Sequence, residues 1–236
     1  MKCVILDWSN LHMHGDLWWR LLSHRYDVFV AGLGWEVPTA TKRRLPHGEA
    51  VASVEFDQYD GPFATYVVAL DDAGEIQASA RLLRTDTSYR FGPYNVSYMI
   101  KDACAGLLDN IPANLMDQEC PATTDTWELT RYTSRSRQAS KALFEALNRF
   151  LANANARNVL TLSAPSFVRW LKAIKFKGEL IGPEIMIDGQ GFAVVSTAVD
   201  YVAAGLSESV RPMVAERAGE ALQDADSMAD LLREAA

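Results

Sequence analysis

The chain has 236 residues, a formal net charge of −7 and a hydrophobic fraction of 49%, which is typical of a globular protein and argues against a disordered chain, a coiled-coil rod and a general nucleic-acid-binding protein. No apolar run approaches the roughly 18 residues that cross a bilayer, and the first residues lack the apolar stretch of a secretory signal. Three scattered cysteines do not suit a disulfide framework or a metal site, so we expect a cytoplasmic protein without a bound metal.

The first part of the chain predicts one helix and one hairpin. Hydrophobic residues at helical spacing predict a helix over residues 14–33. The polar segment TATKRRLPHGEA, residues 39–50, predicts a loop because it contains proline and glycine. Two runs rich in β-branched and aromatic residues, 63–70 and 75–85, flank the turn sequence DDAGE and predict a hairpin.

The remaining chain alternates strands and helices. The predicted elements are a helix near 100–108, a strand at 127–134, an amphipathic helix at 137–155, a strand at 158–164, a helix at 165–176 and strands at 179–187 and 192–199. This order predicts an α/β protein with a mixed sheet, in which the two strands between 125 and 176 splay and leave a slot. We expect residues 1–202 to form one domain and residues 203–236 an acidic helical extension.

Positive charge is concentrated in one part of this acidic chain. Ten lysines and arginines lie between Arg131 and Lys177, and Glu145 is the only acid among them. Such a block is compatible with a solvated basic face, and equally with a surface that attracts an anionic partner over a long range.

Several charged and aromatic residues have spacings that a purely structural domain does not require. Taken singly, each has an ordinary explanation as a surface cation, a core aromatic, a turn carboxylate or a strand-end ion pair. Taken together they form the patterns R-x3-F-x5-W, D-x2-D, R-L-L-x-T and E-x2-R-[FY]. The residues are Arg25, Phe29, Trp35, Asp57, Asp60, Arg81, Glu128 and Arg131. In this order they resemble the acyl-homoserine-lactone synthases, the autoinducer synthases of quorum sensing, over about residues 7–200.

The resemblance implies a fold and a reaction. The fold is similar to that of the GNAT N-acyltransferases, with a mixed, mostly antiparallel central sheet, flanking helices and splayed strands that hold an acyl-pantetheine arm. The implied substrates are S-adenosylmethionine and an acyl thioester of coenzyme A or of an acyl carrier protein, with no tightly bound cofactor. Acylation of the amine is followed by lactone closure and release of methylthioadenosine.

The resemblance also suggests roles for the matched residues. Glu128, directly or through one water, is the candidate base for the substrate amine, because an α-amino group must lose a proton before it attacks. Asp60 and Arg81 complete the candidate catalytic set. The candidate S-adenosylmethionine-binding residues are Arg25, Phe29, Trp35, Asp57 and Arg131. In this hypothesis Arg25 and Arg81 hold the substrate carboxylate, and the aspartates hold either the cationic part of the substrate or those arginines.

Two further sets of residues have candidate roles. The candidate acyl pocket consists of Leu143, Leu147, Leu160, Thr161, Leu162 and Ser163, although the leucines fit a simple core equally well. Thr161 and Ser163 are the hydroxyls that we expect near a 3-position oxygen. The candidate docking site for a phosphopantetheine or an acidic carrier protein is formed by Arg135, Arg137 and Lys141.

The sequence departs from the family pattern at two places. Thr130 and Tyr132 flank Arg131 where the family has serine and phenylalanine, and the segment 86–126 is longer than usual, which leaves the acyl group and its donor open. Two alternatives also stay open. One is an N-acyltransferase that makes a non-lactone N-acyl amino acid, and the other is a degenerate protein that binds acyl thioesters without catalysis.

Overall fold

The computed structural model describes residues 1–36, 40–44 and 51–206. The chain divides into two compact units, which are described separately. Within the described residues, the first unit contains Met1–Arg81 and Arg131–Leu143, and the second contains residues 82–130 and 144–206. Among these residues no helix has the length and apolar character to cross a membrane. The predicted extension at 203–236 lies almost entirely outside the described residues.

The first unit combines helical turns with part of the main sheet. Its elements are β1 (Lys2–Asp7), a 3₁₀ turn (Leu11–His14), α1 (Leu17–Arg25), a π-helical turn (Tyr26–Gly32), β2 (Thr41–Arg44), β3 (Val51–Val54), β4 (Ala64–Leu70) and the beginning of β5 (Ile76–Arg84). It also contains the end of β8 (Thr126–Ser134) and the beginning of α3 (Arg137–Asn153). The hydrogen-bonded order of its strands is β1-β4-β5-β8, with β1 and β4 antiparallel. Six of the seven residues of β4 are buried, so this strand lies in the core.

Two local predictions for the first unit are corrected. The helix expected over residues 14–33 is interrupted: α1 ends at Arg25, and the chain continues as a wider π turn in which Leu33 donates to the carbonyl of Val28 at 3.0 Å. The segment 39–50, expected to be a loop, contains the strand β2, which pairs with β3 in an antiparallel ribbon. Pairing with a partner strand, which local composition does not encode, overrides the polar character of this segment.

The second unit contains the rest of the main sheet. Its elements are the end of β5, β6 (Tyr89–Phe91), β7 (Tyr94–Val96), α2 (Met99–Cys104), the beginning of β8, the end of α3, β9 (Asn158–Ser163), α4 (Phe167–Ala173), β10 (Gly178–Leu180), β11 (Ile185–Ile187) and β12 (Gln190–Ala198). The strand order is β5-β8-β9-β12-β10, and β11 pairs with β12. Strands β8 and β9 are parallel, whereas β12 is antiparallel to β9, β10 and β11. The predicted α/β architecture with a mostly antiparallel sheet is therefore confirmed.

Three details of the second unit refine the predictions. The long segment 86–126 contains a two-stranded ribbon, β6-β7, and the helix α2. That helix is shorter than expected and ends before Gly106, whose φ of 71° suits a helix terminus. The strand expected at 179–187 is two short strands, β10 and β11, separated by a segment that contains Pro183, since proline cannot donate to a sheet.

The predicted splay lies between β8 and β9. Their parallel pairing covers three residue pairs and stops at Glu128–Leu160. Within the second unit both strands continue beyond this pair, to Thr130 and Ser163 respectively. The backbones are therefore paired at one end and separate after Glu128.

Candidate active site

Six charged side chains form a closed cluster in the first unit. Three are arginines and three are carboxylates: Arg25, Arg81, Arg131, Glu55, Asp57 and Asp60. They come from the end of α1, the turn after β3, and the strands β5 and β8. The cluster contains equal numbers of positive and negative charges. Each charge is therefore compensated by neighbours, which is the condition for placing ionised groups in a protein interior.

Arg25 uses all three of its nitrogens inside this cluster. Its Nε donates to Glu55 Oε2 at 2.6 Å, and its two terminal nitrogens donate to the two carboxylate oxygens of Asp60 at 2.6 and 2.9 Å. Arg25 is 1% exposed and Glu55 is fully buried. The guanidinium of Arg25 is therefore buried among protein carboxylates and out of reach of a substrate carboxylate, and the contacts favour the alternative in which the aspartates hold the arginines.

Arg81 is held in the same way from β5. Its Nη1 donates to Asp57 Oδ1 at 2.5 Å and to Asp60 Oδ1 at 2.9 Å, and its Nη2 donates to Asp57 Oδ2 at 3.1 Å. The hydroxyl of Tyr66 donates to Asp60 Oδ1 at 2.8 Å. Asp60 is thus shared by two guanidinium groups and a phenol.

The turn that carries the aspartates is fixed by its own side chains. Asp57 N–H donates to Asp60 Oδ2 at 2.8 Å, and Tyr59 N–H donates to Asp57 Oδ1 at 2.9 Å. The backbone closes the same turn, since Asp60 N–H donates to the Asp57 carbonyl at 3.0 Å. The D-x2-D spacing therefore places both carboxylates on one side of a tight turn, where aspartate is favoured.

Arg131 joins the cluster from a distorted strand. Its φ is 51°, a left-handed value that a residue with a side chain rarely adopts. Arg131 Nε donates to Glu55 Oε1 at 3.1 Å, and Nη2 donates to Asp57 Oδ2 at 2.7 Å. A backbone in this region costs on the order of 1–3 kcal/mol and persists only where the surroundings over-determine it. The two ion pairs supply that constraint.

The ionised state of the cluster is strongly stabilised. Burial raises the pKa of Asp60, but Arg25 and Arg81 outweigh burial and hold this pKa well below its ordinary value. Burial also raises the pKa of Asp57, but the nearby Arg81 and Arg131 outweigh burial, so this pKa is lowered as well. Burial lowers the pKa of Arg25, whereas the facing carboxylates of Asp60 and Glu55 raise it. The net effect is an increase. Neither Asp57 nor Asp60 is therefore available as a base near neutral pH.

An aromatic pair covers the cluster at Arg131. The rings of Phe29 and Trp35 stack with their centroids 4.7 Å apart. The guanidinium carbon of Arg131 lies 5.6 Å from the Phe29 centroid and 5.5 Å from the Trp35 centroid, within cation–π range. Phe29 is buried, whereas Trp35 is 42% exposed. The π turn between α1 and Trp35 thus presents one aromatic face that a ligand can reach.

Glu128 has a different environment, in the second unit. Its Oε2 accepts the backbone N–H of Met99 at 2.8 Å, and its Oε1 accepts that of Ile100 at 2.8 Å. These are the first N–H groups of α2, which have no partner within the helix. Glu128 is 1% exposed. Its carboxylate therefore caps α2, a role that the sequence did not suggest.

A small cavity lies in the second unit beside the splay. Its volume is about 20 Å³, enough for a water molecule. It is lined mainly by apolar side chains: Leu129, Phe144, Leu147, Leu151, Val159, Phe176, Ala198 and Val199, together with Asn148, Thr161 and Thr197. The helix α3 and the strands β8, β9 and β12 supply most of these residues.

This cavity contains two residues of the predicted acyl pocket. Leu147 and Thr161 line it, but Leu160 and Leu162 do not. Successive side chains of a strand point to opposite faces, so these two leucines lie on the other face of β9 from Thr161. Ser163 shares the face of Thr161, but it does not line the cavity. Leu143 is fully buried and belongs to the first unit.

The predicted docking cations are exposed and lie close together in sequence. Arg135 precedes α3, Arg137 begins it, and Lys141 lies one turn further on. All three are exposed. Arg135 is anchored through its backbone N–H, which donates to the Gln77 carbonyl at 2.8 Å.

The structure therefore assembles most of the predicted site residues in groups. Arg25, Phe29, Trp35, Asp57, Asp60, Arg81 and Arg131 form one group in the first unit, whereas Glu128 and the cavity belong to the second. Two residues had no assigned role: Glu55, which is a member of the cluster, and Tyr66, which donates to Asp60. Glu55 lies two residues before Asp57 in the same acidic motif, which is a signal that sequence reasoning could have used. Tyr66 lies inside an apolar strand and carries no such signal.

Comparison with known proteins places the chain in a family. A model of the autoinducer synthase family matches residues 10–186. An acyl-homoserine-lactone synthase of Acinetobacter nosocomialis is 32% identical over 200 residues, which cover 79% of this chain and 93% of that protein. One from Ralstonia solanacearum is 28% identical over 213 residues, covering 86% and 91% respectively.

Solved structures agree in fold. TofI, in a ternary complex with an inhibitor and MTA, superposes with a TM-score of 0.67 at 25% identity, covering 89% of this chain and 99% of that one. A CoA-dependent acyl-homoserine lactone synthase, BjaI, with SAM and isopentyl-CoA, gives 0.64 at 18% identity over 96% and 97%. The family match spans well over half of the sequence, and the chain belongs to the autoinducer synthase family.

Proposed function

We propose that this protein is an acyl-homoserine-lactone synthase. It transfers the acyl group of a thioester to the amine of S-adenosylmethionine, and the methionine carboxylate then displaces methylthioadenosine as the lactone closes. The observation that carries the proposal is the assembly of five charged motif residues of the first unit, together with Glu55, into one neutral, closed cluster that the two aromatic motif residues cover. The relatives of this chain carry the same activity in their names.

The buried part of the cluster acts by positioning. Arg25, Asp60 and Arg81 are bonded to one another or to Glu55 and Asp57, and they offer no exposed donor to a ligand. Their role is to hold the turn of the two aspartates and the strained backbone of Arg131 in place. We therefore assign them as positioning residues rather than as ligands of the substrate carboxylate.

Direct contact with S-adenosylmethionine falls to the exposed side of the cluster. Trp35 offers a partly exposed ring, and its stacking on Phe29 fixes the orientation of that ring. A sulfonium or an adenine ring gains from lying against an indole face. Arg131, which is 9% exposed at its side chain, is the arginine of the cluster nearest to these rings.

Glu128 remains the candidate base, and a second, structural role complicates the test of this assignment. Its two oxygens accept backbone N–H groups of α2, and a carboxylate is also a side-chain type that serves as a general base. The same contacts make Glu128 a helix cap. A loss of activity in a Glu128 variant therefore supports the role of Glu128 as the base only when the variant keeps the stability of the wild-type protein.

The acyl donor belongs to the same proposal. The cavity under α3 has the mainly apolar walls that a hydrocarbon chain prefers, and at about 20 Å³ it has to widen before it admits more than a water-sized group. The exposed Arg135, Arg137 and Lys141 suit the phosphate of a pantetheine arm or an acidic carrier protein. We further propose an acyl carrier protein as a partner and a cytoplasmic location, where both substrates are made.

A product assay tests the proposal. Purified protein is incubated with S-adenosylmethionine and a panel of acyl-coenzyme A and acyl-carrier-protein thioesters, and the organic extract is analysed by mass spectrometry. We expect an N-acyl homoserine lactone with an equal amount of methylthioadenosine. An acylated amine without methylthioadenosine would point to the non-lactone acyltransferase. If folded protein formed no product, the alternative of a non-catalytic binding protein would be favoured.

The control variants separate the roles. Trp35→Ala is expected to lower product formation. Glu75→Gln removes the acidic partner of an exposed ion pair with Arg20, at 3.4 Å, and is expected to leave product formation unchanged. Equal activity of all variants would contradict the assignment of the binding face to Trp35.

A further inference from the structure

Two of the three cysteines lie together in the second unit. Cys104 is the last residue of α2, and Cys120 lies in the segment that joins α2 to β8. Their thiol groups are hydrogen-bonded to each other. Both residues are partly exposed, and neither is part of a disulfide. Folding therefore brings into contact two reduced thiols that are scattered in the sequence.

Tyr98 holds this pair in place from the other end of α2. It precedes α2 in the chain and is fully buried. Its hydroxyl donates to the carbonyl of Pro121 at 2.6 Å, and it is also hydrogen-bonded to the thiol of Cys120. The chain at Cys120 is thus fixed to the beginning of α2, while the Cys120 sulfur contacts the end of that helix. A buried side chain therefore sets the position at which the two thiols meet.

The segment between the two cysteines is anchored as well. Leu115, in this segment, is 1% exposed. Its carbonyl oxygen lies so close to Gly182 that a β-carbon on that glycine would overlap with it. This close approach of two backbones leaves the segment little room to slide, and it keeps Cys120 beside α2.

The helix that carries Cys104 also holds Glu128. The first N–H groups of α2, those of Met99 and Ile100, each donate to the Glu128 carboxylate at 2.8 Å. Burial raises the pKa of the Tyr98 hydroxyl, and Cys120 and Glu128 raise it further because both lie near that hydroxyl. A covalent bond at the end of α2 would therefore act on the helix that positions Glu128.

The two thiols are not equivalent. Burial raises the pKa of Cys120 to about 12, with a further contribution from its hydrogen bond to Cys104. The Cys120 thiol therefore stays protonated near neutral pH, and a protonated thiol is a poor nucleophile. The Cys104 sulfur is left to react first with an oxidant, and Cys120 lies beside it as the second sulfur.

We propose that Cys104 and Cys120 form a peroxide-sensitive modification site that closes to a disulfide. The Cys104 thiolate attacks hydrogen peroxide: an S–O bond forms, the O–O bond breaks, and hydroxide leaves and takes up a proton to become water. The Cys120 sulfur then attacks the sulfenic acid, an S–S bond forms, and the S–O bond breaks with loss of a second water that carries the Cys120 proton. The two sulfurs lose two electrons, which reduce one peroxide. A dithiol reductant reverses the modification.

Peptide mapping of the full chain tests the proposal. Reduced protein is treated with a slight excess of hydrogen peroxide, alkylated and digested without reductant, and the peptides are analysed by mass spectrometry. We expect a cross-link between Cys104 and Cys120, a loss of about 2 Da from the intact chain and full reversal by dithiothreitol. Cys3→Ser is the matched control, because Cys3 lies in the first unit and donates its thiol to the Ala142 carbonyl at 3.5 Å. This variant is expected to form the same cross-link.

Two further variants separate the roles of the two sulfurs. In Cys120→Ser the sulfenic acid of Cys104 has no second thiol to react with, and we expect dimedone to trap it. Cys104→Ser is expected to give neither a dimedone adduct at Cys120 nor a cross-link. Circular dichroism establishes that each variant is folded, and the wild-type peptide map decides the proposal whether or not a variant folds.

Hydrogen exchange tests the link to Glu128. We expect the amides of Met99 and Ile100 to exchange at least about tenfold more slowly in the oxidised protein, since a closed loop restricts local opening of α2. The amide of Val67, in β4 of the first unit, is expected to exchange at the same rate in both forms. Unchanged exchange in α2 would overturn the link.

Other outcomes would overturn the modification site itself. They are a cross-link that involves Cys3, a disulfide between two chains, and oxidation of Cys104 to a sulfinic acid in place of the cross-link. Persistence of both free thiols at peroxide concentrations that oxidise dithiothreitol would also overturn it. None of these measurements requires lactone formation, so the failure of this proposal and the failure of the proposed function are distinguishable.

Discussion

Arg25 donates two parallel hydrogen bonds to Asp60, at 2.6 and 2.9 Å, one to each carboxylate oxygen. The two side chains are 1% and 2% exposed. A bidentate pair of this kind, out of reach of water, fixes the geometry of both partners. Because Asp60 is also bonded to Arg81 and Tyr66, the pair holds together residues from α1, the turn after β3, β4 and β5.

Removal of the Asp60 charge is expected to destabilise the protein strongly. Asp60→Asn keeps the shape but leaves the buried guanidinium groups of Arg25 and Arg81 with one fewer counter-charge. Breaking a buried ion pair from one side costs about 3–5 kcal/mol. Urea unfolding followed by circular dichroism measures the loss. Glu75→Gln, at an exposed pair, is expected to cost at most about 1 kcal/mol, and equal effects of the two variants would contradict the buried-cluster interpretation.

The cluster also predicts sensitivity to acid. The pKa values of Asp57 and Asp60 are lower in the folded protein than their ordinary value of 3.8. The unfolded chain therefore binds more protons below that value, and the stabilisation present above it is lost as pH falls further. Urea midpoints measured from pH 6 downward should show this loss, and its slope should be smaller in Asp60→Asn. The same slope in both proteins would show that the cluster does not control the acid transition.

His24 predicts a second pH dependence, at higher pH. Its Nε2 lies 2.9 Å from Thr133 Oγ1, and burial, with help from Arg135, lowers its pKa below 6.5 against a weaker opposing effect of Asp27. The unfolded chain thus binds a proton more readily as pH falls below 6.5, and stability declines there. Urea midpoints between pH 5 and 8 measure the decline. We expect His24→Gln to flatten it and the exposed His12→Gln to leave it in place; a matching decline in both would contradict the assignment.

Glu128 predicts a structural effect that is separate from catalysis. Glu128→Ala removes two hydrogen bonds to the first N–H groups of α2. Loss of a cap of this kind is expected to cost roughly 2 kcal/mol, measured by urea unfolding. The exposed Glu119→Ala is expected to stay within about 0.5 kcal/mol of wild type.

The catalytic part of the Glu128 role needs a kinetic measurement. If Glu128 is the base, Glu128→Gln lowers kcat at every pH at which the variant is folded. A variant that keeps the wild-type kcat profile while losing stability would restrict Glu128 to capping α2.

Trp35 predicts an effect on substrate binding alone. Its partly exposed ring, oriented by Phe29, is the face that we assign to S-adenosylmethionine. Trp35→Ala is expected to raise KM for S-adenosylmethionine roughly 2- to 30-fold, the range of one cation–π contact of about 0.5–2 kcal/mol. Steady-state kinetics should show partial rescue by Trp35→Phe and an unchanged KM for the acyl thioester. A rise in both KM values would point to a general disturbance instead.

The sequence alone determined the family, the fold class and most of the elements with a strong periodic pattern. The amphipathic helix after residue 136 and the strands β4, β5, β8 and β9 follow from local spacing, since burial of one face selects helix or strand periodicity. The order of the motif residues was sufficient to identify the family, because that order needs no knowledge of contacts. Elements stabilised by distant partners were missed, such as β2, which exists through its pairing with β3.

Only the tertiary structure shows what the motif residues contact. Spacing could not show whether Arg25 and Arg81 face a substrate or Asp60, because that depends on which side chains the folded chain buries together. The left-handed backbone of Arg131, the capping of α2 by Glu128 and the pairing of the Cys104 and Cys120 thiols likewise depend on contacts between residues far apart in sequence. A charge or a thiol acquires its role from the groups that exclude water around it, and this exclusion exists only in the folded protein.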